Sequence, residues 1–101
     1  IFIIQSIDRK MDFEDIARAT DLDFDELLTE IEGIVNSGTK LDISYYLREF
    51  MDEDKIEDIY LYFKEDAESD SLDAAIDELG ADYTEEEIRL VRIKFMCEQG
   101  N

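Results

Sequence analysis

Apolar residues recur three and four positions apart in segment after segment of this chain, and no proline interrupts them. Such spacing gives each segment one apolar stripe when it coils as an α-helix. Asp12 stands before "FEDIARA" as an N-cap, with Phe13, Ile16 and Ala17 on one face. "DLD" makes a turn. Phe24, Leu27, Leu28, Ile31, Ile34 and Val35 then form the next stripe, and Ser37-Gly38 stops that helix. "YYLREFM" and "KIEDIYLYFKE" come next; in the second, Ile56, Ile59, Tyr60 and Phe63 fall at i, i+3, i+4 and i+7. Ser71 caps "LDAAIDEL", which Gly80 ends, and Thr84 with Glu87 makes a capping box for "EEEIRLVRIKFMCEQ". Only "KLDIS", residues 40–44, alternates apolar and polar, as a very short strand or an extended link. The pattern predicts an all-α fold of roughly six short helices with at most that one strand.

The formal net charge of −19 restricts function more than fold. A hydrophobic content of 45% is ordinary for a folded domain, so the acidity does not signal disorder. It does oppose binding to a polyanion such as duplex DNA, which depends on Lys and Arg displacing counterions. The charge is also unevenly spread. Residues 52–87 hold 16 Asp and Glu against Lys55 and Lys64, a net of −14. Residues 88–101 hold Glu98 against Arg89, Arg92 and Lys94, a net of +2, the only locally cationic stretch. These three bases are the candidate contacts to DNA or a partner. One Cys and no His argue against a disulfide framework and a typical zinc site, and fit a reducing cytoplasm. No apolar run reaches the roughly 20 residues that span a bilayer. The chain starts at Ile1 without Met, which reads as a piece of a longer protein.

"IARATDLDFDELLTEI", residues 16–31, has the spacing of a helix-turn-helix. Ile16 and Ala17 lie in the first helix, Leu22 comes after the turn, and Leu27 lies in the second; these four form the scaffold. Asp21 stands where a turn glycine is usual, and Asp tolerates a left-handed backbone better than most residues. The domain then divides into a helix-turn-helix unit, winged-helix-like, at residues 1–43 and a C-terminal helical unit at 44–101, packed together. The DNA-reading chemistry is missing. Recognition helices offer Arg, Lys, Asn or Gln to bases and phosphates, whereas Asp21 to Asn36 carries six carboxylates and no Lys or Arg. Asp25, Glu26, Glu30 and Glu32 make a candidate acidic face for a basic partner instead, and apart from them the helix exposes Thr29.

The same acids imitate a calcium loop. Asp21, Asp23, Asp25 and Glu32 fall at positions 1, 3, 5 and 12 of an EF-hand, with Leu28 at position 8. Position 6 requires Gly and here is Glu26, and the stretch is strongly helical, so the match reads as false. Asp66, Glu68, Asp70 and Asp77 repeat the pattern more weakly, again without Gly. Catalysis lacks its parts: no Gly-rich phosphate loop, no His base, no Cys–His or Ser–His pairing. No catalytic, cofactor-binding or metal-ligating residue is therefore assigned.

Together with "SGTKLDISYYL" and "ELGADYTEEEIRLVRIKF", the opening stretch resembles the helix-turn-helix domain at the C-terminus of bacterial RecQ-type ATP-dependent DNA helicases. The resemblance runs from about Ile4 to Phe95, and its most specific part is Glu87 to Arg92 at a fixed remove from "GTKLDI". It implies a parent enzyme that uses ATP and Mg to unwind DNA in repair and recombination. The ATP-binding and zinc motifs of that family have no matching positions in this chain. The resemblance thus implies a non-catalytic accessory domain. Such a domain acts through other helicase domains, a partner protein, or weak DNA contact by the last helix. The rival reading is a free-standing acidic interaction module or DNA mimic.

Overall fold

The computed structural model describes residues 1–99, and among these the fold is all-α. Seven α-helices run α1 (Phe2–Asp8), α2 (Phe13–Thr20), α3 (Phe24–Asn36), α4 (Ser44–Phe50), α5 (Glu53–Leu61), α6 (Leu72–Leu79) and α7 (Glu85–Gln99). A π-helical turn at Tyr62–Asp66 prolongs α5, and the Ala67 N–H reaches five residues back to the Tyr62 carbonyl at 2.7 Å.

No strand occurs among the described residues, within the expected limit of one, and residues 39–43 are a link without regular secondary structure. The Asp42 carboxylate in that link accepts the Ser44 N–H at 3.0 Å, which satisfies a free donor at the start of α4 and holds Asp42 below the usual carboxylate range. One helix, α1, is unexpected. The four apolar residues Ile1 to Ile4 that open the chain have no helical period, so the helix is invisible to pattern reading. Tertiary burial fixes it: Ile7 and Ser6 lie inside, and the Ser6 hydroxyl donates to the Phe2 carbonyl at 2.8 Å.

Three helix ends use one device. After α1, α2 and α3 the chain turns through a residue with positive φ: Lys10 at 60°, Asp21 at 57° and Gly38 at 103°. In each case the next N–H bonds five residues back: Met11 to Ser6 at 3.0 Å, Leu22 to Ala17 at 3.0 Å, and Thr39 to Ile34 at 3.4 Å. This is the Schellman closure, which satisfies carbonyls left free at a helix end. Asp21 adopts the left-handed turn expected of it. The link from Ala17 to Leu22 ties two of the four scaffold residues directly; Ile16 and Leu27 are fully buried, and Leu22 packs against the core.

The last helix is central. α7 packs against α3, α4, α5 and α6. Ile88, Leu90, Val91 and Ile93 are wholly buried at positions that go round the helix, which is how an interior helix is built. Tyr46 of α4 stacks on Phe13 of α2 with ring centroids 4.1 Å apart, so the helix-turn-helix and the C-terminal helices share one core.

Candidate functional site

The acidic face of α3 meets Arg89 of α7. Asp25, Thr29 and Glu32 lie at i, i+4 and i+7, and therefore on one stripe of α3. The Arg89 guanidinium lies across that stripe. Nε and Nη2 donate to the two Glu32 carboxylate oxygens at 3.3 and 2.9 Å, Nη2 also reaches the Thr29 hydroxyl at 3.1 Å, and Nη1 pairs with Asp25. The Arg89 side chain is 7% exposed and Glu32 15%. Burial alone would pull the guanidinium down. The hydrogen bonds and charges of Glu32 and Asp25 outweigh it and push Arg89 above its ordinary value, so the ion stays charged.

The three candidate cations are each engaged within the domain. Arg89 is buried, and its partners are on α3 rather than at Glu85, one turn back along its own helix. Arg92 donates to the Asp70 carbonyl, and its guanidinium stands 3.8 Å from Glu32. Lys94 pairs with Glu98, sits 3.5 Å from the Ser44 hydroxyl, and lies 5.4 Å from the centre of the Tyr60 ring. Arg89 and Arg92 thus bind α7 to α3 and to the loop before α6, while Lys94 bridges to α4 and α5.

The four acids of the candidate partner face separate in the same way. Glu32 and Asp25 hold Arg89. Glu26 turns back on its own helix: its carboxylate accepts the Asp23 N–H at 3.0 Å while Asp23 accepts the Glu26 N–H at 2.7 Å, a reciprocal capping box. Glu30 alone is exposed without a hydrogen-bond or ion-pair partner among the described residues. The calcium-loop imitation has the same explanation. Asp21 makes the turn, Asp23 caps, and Asp25 and Glu32 hold an arginine.

Two features lay in the sequence unread. The Asp23-x-x-Glu26 spacing is a capping-box signature, hidden by the calcium-like pattern of the same acids. An arginine between Ile88 and Leu90, in the wholly buried stretch of the helix, must find carboxylates, because an unpaired charge there is too costly. The box expected at the start of α7 is present: Glu87 accepts the Thr84 N–H at 2.9 Å and the Thr84 hydroxyl accepts the Glu87 N–H at 3.2 Å. Glu87 is itself buried and also holds Lys55 at 3.2 Å.

This arrangement defines an all-α helix-turn-helix domain whose second helix is anchored by an internal ion cluster. Residues 1–47 match the family model for the RecQ-1-like helix-turn-helix domain. The match ends inside α4. No curated protein matches the chain. No described helix is long and apolar enough to cross a membrane.

Proposed function

We propose that this is a non-catalytic accessory domain of a RecQ-like ATP-dependent DNA helicase, one that modulates the motor by protein contact and not by reading a DNA groove. The RecQ-1-like match supports the parentage, and ATP and Mg belong to the motor part of such an enzyme. One observation carries the mode of action: Asp25 and Glu32, two of the four acids of the candidate face of α3, are spent on Arg89. What α3 still offers outward is carboxylate. Placed in a groove it would set like charges together with no base on the helix to offset them. Arg92 and Lys94 could reach phosphates only by leaving their internal partners, so any DNA contact through α7 is weak and salt-sensitive. The free thiol of Cys97, buried on α7, suits a reducing cytoplasm.

The test has two arms. The purified domain should leave the anisotropy of a labelled duplex unchanged at physiological salt and should hydrolyse no ATP. The parent protein lacking the domain should keep DNA-stimulated ATP hydrolysis but unwind at an altered rate. Tight, sequence-dependent duplex binding by the domain would refute the proposal, and so would an unwinding rate indifferent to its removal.

A further inference from the structure

We infer that the groove between the π-helical turn and α6 is a docking site for a protein segment bearing arginine or lysine beside apolar residues. The groove encloses about 600 Å³. Tyr62, Ala67, Ala74 and Leu79 supply its apolar lining, and Asp58, Asp66, Glu68 and Glu78 its charge. No Lys or Arg lines it. Asp58 accepts the Tyr83 hydroxyl at 2.9 Å, whereas Asp66, Glu68 and Glu78 have no ion-pair partner among the described residues. This separates them from the acids of α3, which are largely spent internally.

The π-helical turn makes the opening. Carrying the bond from Ala67 back to Tyr62 widens the last turn of α5, and the chain then leaves the helix as an extended loop toward α6. Phe63 stays buried in the core while its neighbour Tyr62 lines the groove.

Charge complementarity selects the occupant. The groove lies within residues 52–87, whose net charge is −14, so an incoming cation is drawn in and an incoming anion refused. No three acidic side chains among the described residues converge on one point as ligands to a metal ion would. Dispersed carboxylates around a partly apolar lining suit a longer group. Arginine and lysine have that character, with an aliphatic stem to lie along Ala67, Ala74 and Leu79 and a charged head to reach the acids. The Tyr62 ring offers the head a further favourable face. This inference rests on the reading that the domain works by protein contact, and it names where.

A short fluorescein-labelled peptide alternating arginine and leucine, titrated into the whole domain, tests it by anisotropy. Any polycation is attracted to a −19 molecule, so the deciding variant keeps every charge: Ala74→Phe, at an exposed position, fills the groove. It should weaken binding roughly tenfold, the loss expected when a packed contact is blocked. Asp66→Asn, Glu68→Gln and Glu78→Gln together should weaken binding more than Asp8→Asn, Glu49→Gln and Glu86→Gln, a set of equal charge change outside the groove lining. Circular dichroism confirms that each variant is folded, and Ala67→Leu serves as a second filling variant. Binding indifferent to both filling variants, with the two neutralised sets equal, would mean general attraction to an acidic surface and overturn the inference. That result would leave the effect of the domain on unwinding untouched, so the two proposals fail separately.

Discussion

The Glu32 carboxylate takes the Arg89 guanidinium side-on, with Nε 3.3 Å and Nη2 2.9 Å from its two oxygens. The pair joins the second helix of the helix-turn-helix to the central helix 57 residues later. Two-point geometry of this kind is open to Arg and not to Lys, whose ammonium is a single charge centre.

Removing one member of this pair should strand the other. Glu32→Ala is expected to cost about 3 kcal/mol in urea unfolding, the low end for breaking a buried pair because Asp25 and Thr29 still hold Arg89. Asp25→Ala should cost no more than about 1 kcal/mol, since the Asp25 side chain is 74% exposed and water screens it. Replacing both partners, Arg89→Met with Glu32→Leu, should recover most of the loss, because no unmatched charge then remains buried. A larger cost for Asp25 than for Glu32 would contradict this account.

The helix-end turns predict opposite signs at two sites. Lys10 sits in the left-handed region at φ 60° with a Cβ that makes it unfavourable. Lys10→Gly should therefore stabilise by about 0.5–1 kcal/mol, the relief of strain less the added freedom of the unfolded chain. Gly38→Ala should destabilise by about 1 kcal/mol. Nothing lies within 4 Å of a Cβ built at Gly38, so that cost is one of backbone conformation and not of a clash. Thermal melts of the two variants should shift in opposite directions.

Alkaline titration should expose the two tyrosines of α4. Burial first, and then Asp12 and Glu49, push Tyr45 up to about 12, and its hydroxyl donates to the Met11 carbonyl at 2.6 Å. Burial and the hydrogen bond to Glu14 push Tyr46 higher still. Both shifts favour the neutral phenol in the folded state. Their stabilisation is whole below the unfolded value near pH 10 and is lost as pH climbs through the raised value. Phenolate absorbance should show Tyr45 ionising near pH 12, with stability falling from about pH 10 upward. Ionisation of all five tyrosines at an ordinary pH in the folded protein would contradict the packing of α4.

Calcium in millimolar amounts should produce screening only, with no saturable one-to-one transition, because each acid of the loop-like pattern already has another role. Isothermal calorimetry against calcium and against magnesium gives the comparison. A micromolar site abolished by Glu32→Gln would require Arg89 to release its carboxylate and would overturn the assignment of the cluster.

The local order of this protein is written in its sequence because helix formation is governed by neighbours three and four residues apart. The stripes from Phe13 to Phe63, the turn at Asp21, the serine cap at Ser71 and the box at Thr84 and Glu87 all arise from that short range. Helix α1 did not, since four consecutive apolar residues carry no period until something buries one side of them. The partners of charged residues were beyond local reading for the same reason. Along the chain Arg89 stands near Glu85, and Asp23, Asp25 and Glu32 read as ligands in waiting. Only the crossing of α7 over α3 brings Arg89 to Glu32 and leaves Glu85 aside. Which faces of two helices meet is set by how the whole core closes, and it is this closure that turned a DNA-reading shape into an internally anchored one.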